Sequence, residues 1–444
     1  AEPPRGEESS EGEGGGGSSD DEGDGGPCAA LRERAAAAQT TVKAILVADF
    51  KLMSKAYGSG HASGSDSAFG RRQHYMQASG AVDSLSEPLT WPMLAALKGK
   101  HGVGGKTMDK LRQLWTTGYC GRAQGIRDNP RSMALIELQK LRGIGEKAAE
   151  KLWDRGIKSR ADVQREAASL ELPDATRAHL RYAWAEKVPR VAVEEIAALV
   201  KAAAHEAYAG RLSVEPTGSH RRGLAFSSDV DMLCVLENPE SRTEHHDVLK
   251  RLVPLLKSSG LIVADLNNRE GERADKYGGA KHAEADAYQS HQSVCELRGA
   301  RYRLDLFVHP AWQRATAQLH YTGSGLFNRY VSRVANQTEI VWNGGVHNLS
   351  LSAIGIRPCR TMGGGEILPT GDFFEISSEA QIFELLEIKF MPPEAREHGK
   401  ESVIDVFTNK PWFDGTKDEN RAARRQNRAA AALMPPEAAP ALLM

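Results

Sequence analysis

The chain has 444 residues, 57 of them Lys or Arg and 58 Asp or Glu, for a formal net charge of −1, and 41% of its residues are apolar. That length fits two to three domain-sized units with real cores, while no stretch approaches the ~20 consecutive apolar residues of a membrane-spanning helix, so no membrane partner is expected. Five widely spaced cysteines (Cys28, Cys120, Cys234, Cys295, Cys359) without a CxxC pair argue against a disulfide framework or a Cys-rich zinc site and fit a reducing compartment.

A chain that begins with Ala1 rather than Met is expected to have lost a preceding segment, so targeting signals there are not visible. Residues 1–27 carry nine acids and one base, Arg5, which leaves +7 on the remainder. A basic body behind an acidic tail permits a nucleic-acid partner, although such an excess is commonly just solvated surface. The first ~30 residues, Gly, Ser, Glu and Asp without periodicity, read as a disordered linker, since they bury too little to offset chain entropy.

From residue 31 to 200 apolar residues recur at three- and four-residue intervals, as in LRERAAAAQTTVKAILVADFKLM and VPRVAVEEIAALVKAAAHEAYA, which predicts helices. Two segments here share a pattern, HGVGGKTMDKLRQLW and LRGIGEKAAEKLWDRGI, with Gly102 and Gly143 offset by 41 residues. Each is a G-x-G turn opening a helix, whose free N–H groups can hold a phosphate oxygen. One such turn is usually only a turn; two in a helical region carry more weight. In the first, Val103, Met108, Leu111 and Leu114 or Trp115 are expected to face inward, with Lys106 and Lys110 one above the other on another face.

Near residue 212 the character changes. The runs SVEPTGS, SDVDMLCVL and RYRLDLFV read as strands, with a helix over HHDVLKRLVPLLKSSG, so the fold class is α+β. Residues 267–292 read as a polar loop or weak hairpin, helices and short strands alternate from 311 to about 398, and the chain from about Asn409 reads as a frayed tail. Asp229 and Asp231 stand two apart in a strand, so both carboxylates share one face while Val230 and Met232 enter the core. Asp305 stands in another strand, and placing the two side by side gathers three carboxylates. Three anions repel unless cations neutralise them, and an all-oxygen set suits two Mg²⁺ or Mn²⁺ ions, which about 3.5–4 Å apart would serve an in-line phosphoryl displacement. An isolated DxD is usually a solvated strand face, but the preceding TGSHRRG segment offers small residues, the Ser219 hydroxyl and the forked cation of Arg222 to a phosphate. Cradle and carboxylates together describe a nucleotidyltransferase.

At these residues the sequence resembles the family X DNA polymerases, the group of polymerase beta, polymerase lambda and terminal transferase. The motifs are KVPR, GSHRRG followed by SSDVDML, RLDLFV, YTGSGLFNR, and the segments IRP, EILP and SEAQIFELLEIKFMPPEAREH, over roughly residues 65–398. The resemblance implies a division into an acidic linker (1–30), a lyase-like helical domain with the first helix-hairpin-helix (31–125) and a helical DNA-binding domain with the second (126–189). A nucleotidyltransferase palm (190–311), a nucleotide-selection domain (312–398) and a tail (399–444) would follow. It implies Asp229, Asp231 and Asp305 as divalent-metal ligands, with Asp305 on the ion that activates the primer hydroxyl. Gly218, Ser219, Arg222, Ser227 and Ser228 would hold the triphosphate, and Tyr321, Gly323 and Asn328 would line the sugar and base pocket. Arg71, Tyr75, Lys98, Gly102, Gly104, Lys106, Gly143, Gly145 and Lys147 would meet DNA. Main-chain carbonyls of Lys98, Lys100 and Val103, and of Gln139, Leu141 and Ile144, would hold a monovalent cation at each hairpin.

Lys110 matches the lysine that in polymerase beta-like enzymes forms a Schiff base with an abasic sugar phosphate; an ordinary phosphate contact is the other reading. His320 stands where the family more often has an aromatic and Ser332 where template-dependent members have an arginine, which leaves sugar discrimination and template dependence open. The expected function is gap filling in DNA repair by a nuclear (or organellar) monomer acting on gapped or nicked DNA and deoxynucleoside triphosphates, with repair proteins docking on a preceding region. Two alternatives stand beside it: a terminal-transferase-like polymerase, and a repair scaffold whose site is idle. Outside these motifs, His245 and His246 are expected to face solvent, and Trp91, Trp115, Trp153, Trp184 and Trp312 to anchor cores. Cys234 and Cys295 are expected to be buried thiols.

Overall fold

A computed structural model gives the fold and describes residues 26–56, 66–99, 103–241, 243–269, 288–362, 367–397 and 403–413. Most of the expected acidic linker, Lys100, Gly102 and the tail beyond 413 lie outside the described residues. Two compact units divide the chain; the first ends at Ser159, except that the turn Lys140–Ile144 belongs to the second.

The first unit is helical: α1 (Ala29–Ala37), α2 (Val42–Ala56), α3 (Asp66–Asp83), α4 (Trp91–Ala95), α5 (Gly105–Thr117), α6 (Gly121–Arg127), α7 (Pro130–Leu138) and α8 (Glu146–Asp154). Local chemistry sets the ends. Gly104 and Gly145 cap α5 and α8, Asn129 accepts from the Ser132 N–H ahead of Pro130, and Gly118, at φ +80°, ends α5. Leu46, Phe50 and Met53 of α2 pack with Leu111, Leu114 and Trp115 of α5 in one core. Asp49 is fully buried there, and Arg34 at 3.1 Å and Arg127 neutralise it, as an unpaired charge in such a place could not persist.

The second unit opens with α9 (Arg160–Arg165) and α10 (Asp174–Tyr182), then β1 (Val188–Pro189), α11 (Arg190–Tyr208), β2 (Leu212–Pro216), α12 (Gly218–Arg221), β3 (Phe226–Ser227) and β4 (Val230–Leu236). After these come α13 (Val248–Ser258), β5 (Ile262–Arg269), β6 (Gln289–Leu297), β7 (Ala300–Pro310), α14 (Arg314–Thr322) and α15 (Gly325–Ala335). The last elements are β8 (Ile340–Trp342), β9 (Gly345–Ser352), β10 (Gly355–Thr361), β11 (Ile367–Pro369) and α16 (Glu379–Leu385). A five-stranded mixed sheet runs β2-β4-β7-β6-β5, with β4 and β7 parallel and the other neighbours antiparallel; a four-stranded sheet runs β11-β10-β9-β8, and β1 pairs with β3.

Alternation along β4 and β7 gives the mixed sheet two different faces. Val230, Met232, Cys234 and Leu236, with Leu304, Leu306 and Val308, enter a core closed by α11 and α13. On the opposite face Leu233 and Val235 pack against Ala317 of α14, and the face opens where Asp229, Asp231 and Asp305 stand.

Four expectations need correction. Residues 262–269 and 289–297 pair as two full antiparallel strands, β5 and β6, where a polar loop or weak hairpin is expected from 267 to 292, and residues 270–287 lie outside the described residues; the buried polar residues Ser290, His291 and Ser293 hide β6 from hydropathy. His245 is buried and His246 half-buried, with the two rings 4.2 Å apart, because the segment is a 3₁₀ turn whose side chains pack inward. Trp312 is 41% exposed, its ring edge-on to that of the buried His245 rather than enclosed in a core. Residues 409–413 are not frayed: the Asp405 N–H bonds to Lys410 O and Trp412 is buried in the core around α15 and α16.

Candidate active site

The parallel register of β4 and β7 sets Asp231 directly opposite Asp305. One oxygen from each of Asp229, Asp231 and Asp305 falls within 4.8 Å of the other two. Burial first, then the charge of Asp305, pushes the Asp231 carboxyl up to about 7 despite Arg222. Burial raises Asp305 as well, against the opposing pull of Arg303, Arg142 and the hydrogen bond from Gln292. A recessed carboxylate pair so reluctant to ionise is what a divalent cation with oxygen preference would relieve, so the donor set fits such ions. Arg303 supplies the positive charge in this structure: its Nε donates to Asp305 Oδ1 at 3.1 Å and its NH2 to both Asp305 Oδ2 (3.1 Å) and Asp229 Oδ2.

The turn Gly218–Arg222 closes over Asp231. Gly218 has φ +57°, and a Cβ there would run into Asp231 Oδ2, so only glycine allows this approach. The Thr217 N–H bonds to Asp231 O at 2.8 Å and fastens the turn to the strand. Ser219 and Arg222 line the cavity in front of the carboxylates, as does Ser228, whose Oγ donates to Asp229 Oδ1 at 2.9 Å. Ser227 instead is buried in the β1–β3 pair, opposite Val188. Arg222 is fixed: Nε donates to Glu397 and NH1 to Thr322 O at 2.5 Å.

The cavity has a volume of about 1280 Å³ and its far wall includes His320, Tyr321, Gly323, Asn328 and Ser332. Tyr321 stacks on Phe307 at 3.9 Å and shares a hydrogen bond of 3.1 Å with His309 Nε2. Asn328 Nδ2 donates to the His320 carbonyl at 2.6 Å. Arg333, beside Ser332, also lines the cavity and lies over the Phe413 ring.

In the first unit, Lys110 Nζ donates to Lys106 O at 3.1 Å and lies 6.0 Å from the centre of the buried Tyr75 ring. It lines a separate cavity of about 400 Å³ with Asp109, Gln113, Cys120 and Arg122. Arg71, Lys98 and Lys106 are exposed, and Val103, Met108, Leu111, Leu114 and Trp115 are buried as the spacing predicts. The Val103 carbonyl accepts from the Gly99 N–H at 2.8 Å and the Leu141 carbonyl from the Ile144 N–H at 3.1 Å. Gln139 is the C-terminal cap of α7, and Gly143, Gly145 and Lys147 are exposed at the second turn.

Comparison with known proteins bears directly on this arrangement. The DNA polymerase beta palm family matches residues 187–311 and the DNA polymerase beta thumb family residues 317–397. These matches support a family X DNA polymerase. It is 28% identical over 327 residues to DNA polymerase lambda of Rattus norvegicus, covering 73% of this chain and 52% of that protein. It is 25% identical over 354 residues to DNA-directed DNA/RNA polymerase mu of Homo sapiens, covering 76% of this chain and 66% of that protein. The chain thus spans between half and two thirds of the length of these curated relatives. The carboxylates and the glycine turn sit on the match to the palm, and the far wall on the match to the thumb.

Several residues at this site escape a reading of the sequence. Arg303 stands two before Asp305 in a strand and therefore on the same face, a signal that was available. Gln292 becomes legible only through the register of β6, which places it opposite Asp305. Glu379 receives both Arg221 (3.1 and 2.7 Å) and Arg396 (2.8 Å), a tie across 158 residues of chain that no local pattern announces.

Proposed function

We propose that this chain is a DNA-directed DNA polymerase that fills short gaps during repair, adding deoxynucleotides by two-metal nucleotidyl transfer. The observation that carries the reading is the in-register pair Asp231–Asp305, with Asp229 alongside and the Gly218–Arg222 turn behind, in a cavity large enough for a nucleotide. Two divalent ions, when bound, supply hydroxyl activation and neutralise developing charge. The chain's own residues do the rest. Asp229 and Asp231 would hold both ions, and Asp305 would hold one of them. Gly218, Ser219, Arg222 and Ser228 orient the triphosphate. Tyr321, Gly323 and Asn328 bound the sugar and base. Positioning and charge placement supply most of the barrier reduction in such a reaction.

The finer assignments belong to the same proposal. The two glycine turns hold duplex backbone, each with a monovalent cation at its carbonyls, and Lys110 serves as nucleophile on a 5′-deoxyribose phosphate. The protein works as a monomer in the nucleus. A relaxed choice of sugar is favoured by His320 at the position lining the cavity and by a relative named as a DNA/RNA polymerase. The deciding experiment is Mg²⁺-dependent extension on a one-nucleotide gap, with and without a 5′-phosphate, scored separately for deoxy- and ribonucleotides. Asp231→Ala should lower incorporation by at least about 1000-fold, on the scale lost when a key electrostatic group is removed. Extension by Asp231→Ala at the wild-type rate would sink the proposal. Borohydride trapping of Lys110→Ala tests the lyase assignment, and equal labelling of variant and wild type removes it.

A further inference from the structure

Gln292 lies across from Asp305 in the antiparallel β6–β7 register, so both side chains rise from one face of the sheet. Its Nε2 donates to Asp305 Oδ2 at 3.0 Å, and its Oε1 accepts from Arg142 NH2, also at 3.0 Å. A guanidinium carries donors only and a carboxylate acceptors only. Between them the amide has a single satisfactory orientation, and Arg142 enforces it.

Arg142 is itself held by its backbone. Its N–H donates to His179 Nδ1 at 3.1 Å and its carbonyl accepts from Thr176 Oγ1 at 2.6 Å. The acceptor nitrogen stays available because burial, with Arg160 and Arg142 nearby, lowers the His179 pKa. The next residue, Gly143, has φ +85°, and a Cβ there would press on Thr176 Oγ1 at 3.0 Å and Pro173 Cβ at 3.2 Å. Arg142 therefore projects from the second glycine turn in a fixed direction. A neutral amide donor orients Asp305 while leaving its full negative charge for a cation, which Arg303 does not.

We infer that Arg142 and Gln292 are positioning residues that set the Asp305 carboxylate for metal binding and connect the second glycine turn to the metal site. The inference rests on the polymerase reading, and its test separates the two. Mn²⁺ binding to the full chain is measured by the electron paramagnetic resonance of the free ion, in parallel with single-turnover incorporation on a one-nucleotide gap. Gln292→Met and Arg142→Met should each weaken Mn²⁺ binding about tenfold, the lower end for groups that support a metal ligand. The double variant should be little weaker than either single one, because one chain of contacts is lost once. Arg142→Lys, which keeps a donor facing Oε1, should recover most of the affinity lost in Arg142→Met. Should Gln292→Met fail to fold, Gln292→Asn shortens the reach of both hydrogen bonds with the amide retained and reads the same quantity. Wild-type Mn²⁺ affinity in the Gln292 variant, or single losses that multiply in the double, overturns the inference. Asp305→Ala is the control: if it still incorporates nucleotide, the polymerase reading fails; if it does not while Gln292→Met binds Mn²⁺ normally, only the relay fails.

Discussion

Gly218 shows how one missing Cβ shapes a site. The turn it occupies can approach Asp231 only because no side chain intervenes, and the same approach brings Ser219 and Arg222 to the cavity wall. Gly218→Ala must displace either the carboxylate or the turn. Incorporation should fall about 100-fold, as for a displacement near 1 Å at a reacting centre, with the urea midpoint changing far less than activity. His309 makes a second prediction at this scale. Burial drives its pKa down to about 3, with Gln313 opposing and the charges of His320 and His245 assisting; Tyr288 stacks on the ring and Tyr321 bonds to it. The unfolded imidazole takes a proton near 6.5, so between 6.5 and 3 unfolding gains a proton. The contribution to stability is intact above pH 6.5 and declines by about 1.4 kcal/mol per unit as pH falls towards 3. Between pH 7 and pH 5 the loss is about 2 kcal/mol, and His309→Gln should remove it; urea unfolding at the two pH values, variant against wild type, reads the difference. The three aspartates were legible from strand periodicity, because a period of two fixes which side chains share a face. Gln292, the cross-strand partner of Asp305, was not, since a hydrogen bond between strands depends on register, and nothing within one strand records its neighbour's.

Among elements, α12 and α16 illustrate a tie that sequence distance conceals. Glu379 opens α16 beneath the capping Ser378 and takes Arg221 from α12 and the wholly buried Arg396. Phe327, Phe383 and Phe390 surround the Arg396 guanidinium, so removing the Glu379 carboxylate takes from a buried cation its hydrogen-bonded counter-charge. Glu379→Leu should cost about 3–5 kcal/mol, the usual price of breaking a buried pair from one side, read as a lower urea midpoint. Helices such as α5 and α11 were legible because each buries one stripe. The hairpin β5–β6 was not: β6 buries serine and histidine as well as valine and cysteine, and a strand with inward polar groups carries no hydrophobic alternation to read.

For the whole molecule, charge is distributed against its own average. Residues 1–27 hold −8 of a net −1, so the remaining chain is cationic. Removing residues 1–27 should tighten binding to a gapped duplex at 50 mM NaCl, and the difference should shrink as salt rises, because screening shortens the reach of the acids to ~10 Å or less. Fluorescence anisotropy across a salt series measures it. Affinity of both forms should fall linearly on a log–log plot, as counterion release requires. The net charge alone suggested none of this; the segregation of its signs did.

The closing segment Pro393–Glu397 supplies two anchors to the front of the palm: Arg396 reaches Arg221 through Glu379, and Glu397 grips Arg222. The Gly218–Arg222 turn is therefore fastened by residues read some 175 positions later. A polypeptide emerging during synthesis would have its three aspartates in place well before that turn is fastened, and a stop codon ahead of Arg396 would leave every aspartate present and the turn without either anchor.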